Sequence, residues 1–138
     1  MSSASNRKSI ANLHYLLSKR LEQVEGRLFD RAEANGYGDI TPSMARLYAH
    51  LAGSKPVHMA ELARKLSISR QAVHKMALEG VKAGYVEVVP CDQSGRQKIL
   101  RFTDKGWKMA ANANQELILI ERELKAQIGD QNLTLLKQ

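Results

Sequence analysis

Residues 59–103 read MAELARKLSISRQAVHKMALEGVKAGYVEVVPCDQSGRQKILRFT, and this stretch decides the fold. Over Met59 to Leu66 the apolar positions Leu62, Ala63 and Leu66 share one face at the spacing of an amphipathic helix. Ser67-Ile68-Ser69 breaks that helix. Ser69 is the expected N-cap of a second helix, because its hydroxyl can accept a free backbone N–H of the first turn. The second helix should run to about Lys82, with Val73, Met76, Ala77 and Val81 as its buried face. Arg70, Gln71, His74 and Lys75 then fall on the other side. Two helices joined by a tight turn, the second presenting polar donors outward, form a helix-turn-helix. In that arrangement the second helix lies in the major groove of DNA.

The residues that follow extend the module. Gly84 is placed to end the second helix, since glycine takes a positive φ at no steric cost. Tyr85–Val89 and Ile99–Thr103 are rich in strand-forming side chains. Between them lies a turn-rich loop, Pro90-Cys91-Asp92-Gln93-Ser94-Gly95-Arg96-Gln97-Lys98, with cations near its tip. The pattern predicts a β-hairpin wing beside the second helix.

The distribution of charge agrees with that reading. The chain has 138 residues and a net charge of +7, which fits one domain with a real core. Between Ser54 and Lys108 there are 11 Lys and Arg against 5 Asp and Glu, a net +6. The remainder holds 10 against 9, a net +1. Solvated basic faces are common, but excess charge gathered on one module is the footprint expected for nucleic acid. One cysteine excludes an intrachain disulfide framework and fits a reducing compartment. No apolar run approaches the ~20 residues of a membrane span, and MSSASNRKS at the start lacks a signal-peptide core. A cytoplasmic location without membrane contact is expected.

Outward from the module, helices are predicted on both sides. Met1 to Arg7 is small and polar and expected to fray. From Lys8 to Ala34, Ile10, Leu13, Leu17, Leu21, Val24 and Leu28 step by three and four, and Asn35-Gly36-Tyr37-Gly38 stops the helix. Thr41 is the expected N-cap of the next helix and Pro42 its first residue, where the missing N–H costs nothing. Met44, Leu47, Tyr48 and Leu51 give its buried face, and Ala52-Gly53-Ser54-Lys55-Pro56 ends it. A last long helix should start at Thr103-Asp104-Lys105-Gly106 and run to about Ile128, spanning about 37 Å. Its expected stripe is Trp107, Ala110, Ala113, Leu117, Ile120, Leu124 and Ile128, widened by Ile118 and Leu119. After Gly129-Asp130, residues 132–137 suggest a short final helix. So small a central module cannot cover the terminal helices, and a second copy of the chain is the simplest partner. The reading is therefore one domain over 1–138, with dimerisation helices at 8–34 and 104–138 around a DNA-binding region at 41–103.

This order of elements resembles the MarR family of winged helix-turn-helix transcription regulators. The matching pieces are ITPSMARLYAHLA at Ile40–Ala52, ELARKLSISRQAVHKM at Glu61–Met76, KAGYVEVVP at Lys82–Pro90 and LRFTDKG at Leu100–Gly106. The last looks like the L-T-x-K-G start of the family's fifth helix. The resemblance implies a mainly α fold with a small β-hairpin wing. It also implies a homodimer on a pseudo-palindromic operator, and repression released by a small aromatic or phenolic effector. The family wing often reads Asp-x-x-Asp-Arg-Arg. Here Ser94 and Gly95 stand where an Asp-Arg pair is usual, and Arg96 matches the second arginine.

The expected DNA contacts are Ser67, Ser69, Arg70, Gln71, His74, Lys75, Arg96 and Lys98. Arg can donate two bonds to guanine, and Gln can pair with adenine N6 and N7, which suits Arg70 and Gln71. Each is equally compatible with an ordinary solvent-facing role. His74 could meet a base or a phosphate, while Lys75 favours a phosphate. Ser67 and Ser69 can donate to phosphates, though Ser69 serves equally as a cap. Arg96 is the expected wing contact, and Lys98 is either a further one or a solvated strand residue. The resemblance implies an effector pocket where the dimerisation helices meet the module. Tyr15, Arg46, Tyr48 and His50 lie near it, with core packing the favoured role for both tyrosines.

Other chemistries find little support. Cys91 lies in the wing loop, whereas thiol-sensing relatives usually carry their cysteine in the first helix. His14, His50, His58 and His74 lack metal-ligand spacing, so no cofactor is expected. No nucleophile elbow, P-loop or paired-His motif appears, so an enzyme is not expected. The rival reading is a winged-helix module used for protein contact or for coating DNA without regard to sequence.

Overall fold

The computed structural model describes residues 12–53, 55–91 and 96–138. The elements are α1 (Leu13–Ala34), α2 (Pro42–Leu51), β1 (Val57–His58), α3 (Met59–Leu66), α4 (Arg70–Ala83), β2 (Val86–Pro90), β3 (Lys98–Phe102), α5 (Asp104–Ile128) and α6 (Asp130–Leu136). The mainly α architecture with a small β wing is as expected. The expected start of the first helix at Lys8, the residue Ile10, the fraying of Met1–Arg7 and the wing positions Ser94 and Gly95 lie outside the described residues.

Caps set the boundaries as the side-chain chemistry requires. Thr41 accepts the Met44 N–H at 3.2 Å, and Pro42 opens α2. The Ser69 hydroxyl accepts from Ala72 at 3.0 Å, and the Thr103 hydroxyl from Gly106 at 3.1 Å. Gly84 closes α4 at φ 84°, and the N–H groups of Gly84 and Tyr85 turn back to Val81 and Gly80 at 3.0 Å each. Tyr85 is thereby held by the helix cap, and β2 begins one residue later than the side-chain pattern suggests. Thr103 is likewise held by its cap role, so β3 ends at Phe102.

A two-residue strand escapes the sequence reading. β1 pairs antiparallel with β3, Val57 opposite Leu100 and His58 opposite Ile99. The sheet order is β1-β3-β2. Two residues carry no readable alternation, and only the pairing itself defines the strand. In the hairpin, Glu87 faces Arg101 and Pro90 faces Lys98. The Cys91 N–H adds a bond to Gln97 at 2.8 Å.

The core lies between α2, α3, α4, the sheet and the start of α5. Leu47, Leu62, Tyr85, Leu100, Val73 and Val86 are its largest fully buried side chains. Burying each aliphatic one contributes about 1.5–3 kcal/mol relative to exposure. The expected face of α2 is buried in full. That of α4 needs correction. Val73 and Ala77 are buried, Met76 only partly, and Val81 is 42% exposed. Gly80 takes the inner position instead. A Cβ there would meet Val86 Cγ2 at 2.7 Å and the Tyr48 hydroxyl at 3.0 Å, so the absent side chain lets α4 approach β2 and α2 closely.

The start of α5 is set by a tighter contact. A Cβ on Gly106 would lie 2.0 Å from the Tyr85 carbonyl oxygen and 2.7 Å from Phe102 Cδ1. With Gly106 pressed onto the sheet and Met109 buried, Trp107 turns outward. It is 48% exposed and packs edge-on against Phe102 at 5.1 Å. The expected stripe of α5 is corrected here too: Ala110, Ala113, Ile120, Leu124 and Ile128 are half-buried, while Leu117 is 38% exposed.

Polar groups join α5 to α1. Arg27 donates to Glu116 Oε1 at 2.8 and 3.0 Å and to both carboxylate oxygens of Glu123. Arg31 donates to Glu116 Oε2 at 3.2 Å and to Gln115 at 2.9 Å. As α1 advances from Arg27 to Arg31 its partners on α5 recede from Glu123 to Gln115, so the helices run antiparallel. The arginine fork supplies several charge-assisted bonds at fixed geometry. The facing carboxylates raise the Arg27 pKa further, and Arg27 holds the Glu123 carboxyl below its usual range.

Among the described residues nothing covers the other half of α1. Leu13, Leu16, Leu17 and Leu21 are 50–70% exposed, and Leu117, Ile118 and Leu119 on α5 are 38–43% exposed. Tyr15, expected in a core, is 49% exposed; Tyr48 is buried as expected. No described helix is long and apolar enough to cross a membrane.

Candidate nucleic-acid interface

α4 begins in the open. The turn before it needs a left-handed residue, and Ser67 takes that place at φ 54°. Its N–H returns to Arg64 at 3.2 Å, which leaves its exposed hydroxyl facing solvent. Ser69 caps α4 through one lone pair and retains an O–H to donate. The first turn of α4 carries no acidic residue. A helix N-terminus with free N–H groups and a positive dipole end favours an anion such as a DNA phosphate.

The exposed side chains of α4 open onto a groove of about 930 Å³. Arg70, Gln71, His74 and Lys75 line it together with Arg96 and Lys98 from the wing. Six of the eight expected contact residues thus share one surface. Ser67 and Ser69 stand outside its lining, at the entry to α4. The groove also holds residues that the sequence reading did not select: His58, Arg64, Gln97 and Leu78 among them. Arg64 sits in the last turn of α3. Nothing in a single helix period separates it from Lys65, which instead pairs with Glu61 at 3.2 Å on α3. Position beside α4 tells the two cations apart, and only the fold supplies that.

The groove is electrostatically one-sided. Among the described residues, Arg64, Arg70, Lys75, Arg96 and Lys98 contribute cations, against Glu61 alone among carboxylates. On the wing, Arg101 is held by Glu87 at 2.7 Å and does not line the groove. Cys91 is exposed at the wing root, with its sulfur 3.8 Å from His58 Nε2. Among the described residues no group of three His, Cys, Asp or Glu could hold a metal ion.

The module rests on a rigid base. Tyr85 donates its hydroxyl hydrogen to Asp39, and its ring lies 4.5 Å beneath the Lys105 ammonium. Tyr37, Tyr48 and Phe102 continue the aromatic contacts. Burial, foremost, pushes the Tyr48 and Tyr85 phenols well above their usual range; for Tyr85 the bond to Asp39 adds to it. Neither phenol ionises near neutral pH. A second, smaller hollow of about 170 Å³ lies between Leu51, Pro56, Phe102 and Trp107.

Comparison with known proteins agrees with this geometry. Residues 39–97 match the family model described as MarR family. A search of the curated proteins finds no match. Solved structures share the fold across most of the chain. FabT of Streptococcus pneumoniae, in complex with DNA, superposes with a TM-score of 0.75 at 14% identity, covering 90% of this chain and 86% of its own. NadR in complex with 4-hydroxyphenylacetate gives 0.73 at 20% identity, covering 94% and 89%. Wild-type MarR of E. coli gives 0.67 at 18% identity, covering 94% of both chains. The segment holding the helix-turn-helix and most of the wing therefore matches the MarR-family model, and the chain that surrounds it completes the winged-helix fold of these solved structures.

Proposed function

We propose that the protein is a homodimeric, sequence-specific DNA-binding transcription regulator. The observation that carries this is the shared groove, in which the polar face of α4 and the wing cations meet with one carboxylate among the described residues. Arg70, Gln71 and His74 supply base-edge readout in the major groove. Ser67, Ser69, Lys75 and Lys98 contact phosphates and fix the register. Arg96 carries the wing to the neighbouring backbone or minor groove. The likeness to FabT, solved on DNA, supports this use of the fold.

The uncovered leucines of α1 and the apolar face of α5 pack against a second copy, making residues 8–34 and 104–138 the dimerisation helices. A two-fold dimer then presents two recognition helices about one DNA turn apart, ~34–36 Å. We further propose that it acts as a repressor released by a small aromatic or phenolic ligand. The likeness to NadR, solved with 4-hydroxyphenylacetate, supports that class. Such a ligand must bind the DNA-competent and incompetent dimers with different affinity, and DNA must weaken its binding by the same factor.

Competition tests the central reading. A regulator prefers its operator over bulk duplex by ~10³ or more at physiological salt. Equal affinity for all duplexes would replace regulation with sequence-blind coating, and absence of binding would favour protein contact.

A further inference from the structure

We propose that Leu78 is a specificity-determining residue that reads the C5-methyl group of a pyrimidine in the major groove. The inference rests on the DNA-binding reading above. Leu78 lies in the middle of α4 yet is 50% exposed. The inner side of α4 belongs to Val73, Ala77 and Gly80, so Leu78 has no place in the core. Nor does it join the uncovered leucines of α1 and α5, because it lines the cationic groove.

Its position on the helix sets its reach. Gln71, His74, Lys75 and Leu78 follow one another at three, four and seven residues and share one face. Leu78 stands about 10 Å along the axis from Gln71, roughly three base steps at ~3.4 Å each. Around it the groove is built for a polyanion, with Arg64, Lys75 and Arg96 on its walls. A branched hydrocarbon offers nothing to a phosphate or to a base nitrogen. The apolar group that a base edge presents in the major groove is the C5-methyl of thymine, and 5-methylcytosine carries the same group. Leucine on a face otherwise made of donors therefore discriminates by contact with methyl.

The experiment uses the full chain and the duplex enriched from a random pool, with thymine replaced by uracil one position at a time. Uracil removes the methyl and leaves the pairing edge intact. Loss of one packed methyl lowers affinity by about fourfold per half-site. The expected result is one position per half-site where wild type loses that factor. Leu78→Ala, a substitution that favours helix, should lose nothing there, and Leu78→Met should restore the penalty. In a second arm, 5-methylcytosine replaces cytosine in the same duplex. A gain in wild type that Leu78→Ala abolishes would name methylated cytosine as the source of the methyl. If no substitution in either arm depends on Leu78 while the enriched duplex still binds, this inference fails and the DNA-binding reading stands. If no duplex is enriched at all, both fall.

Discussion

At the level of single residues, contact distance decides what the chain tolerates. Gly106 has the Tyr85 carbonyl where its Cβ would be, at 2.0 Å, and that oxygen also accepts the Thr103 N–H at 3.0 Å. Backbone cannot step aside as a flexible side chain can. Gly106→Ala is expected to destabilise the fold by roughly 3 kcal/mol, read as a lower urea midpoint with an unchanged slope. The glycine of the TDKG start was legible as a motif, but its reason was not, since that lies at Tyr85, between α4 and β2. Tyr48 makes the opposite prediction. Its hydroxyl is buried with no hydrogen-bond partner among the described residues, so Tyr48→Phe should stabilise by about 1 kcal/mol. Its raised folded pKa also means that stability is complete below the unfolded phenol value of about 10. Stability falls as pH rises above that value, where the unfolded phenol ionises first. Alkaline unfolding curves should show a smaller loss for Tyr48→Phe than for wild type.

At the level of elements, a helix follows its sequence pattern where one period rules it and departs from that pattern where contacts from outside intervene. α2 buried its expected residues because its stripe and caps agree. α4 turned by one position because Gly80, which has no side chain to count as apolar, gives the closest approach to Val86. β1 was invisible for want of length. In the candidate site, the α4 residues were legible from their polarity opposite an apolar face. Arg64 and Leu78 were not, since one looks like any surface cation and the other like core. The α1–α5 clasp was missed for a related reason: spacing rules count apolar positions, whereas Glu116 is buried by its two arginines. Glu116 has a side chain only 11% exposed, and Glu123 is 60% exposed. Removing a partner from a buried pair leaves uncompensated charge, whereas exposed pairs contribute little. Glu116→Ala, which leaves Arg27 and Arg31 facing each other, should lower the thermal midpoint clearly more than Glu123→Ala. Equal effects would mean that the clasp is a surface feature.

The molecule as a whole is unfinished as a single chain. One part is a packed winged helix, and the other is a pair of helices whose leucines face solvent. Contiguous exposed leucines of this kind are what the proposed dimer interface would bury. Leu17→Glu with Leu21→Glu places charges in that seam without touching the described core. Sedimentation should find the wild type at twice the mass of this variant, and the variant should bind DNA more weakly because it presents a single recognition helix. A variant of unchanged mass would remove these helices from the interface. Selection of bound duplexes from a random pool tests the groove and the two-fold symmetry together. The expected result is an inverted repeat whose half-site centres lie about 10–10.5 base pairs apart, bound by two chains. Enrichment of a single unrepeated site, or of no site, would contradict it.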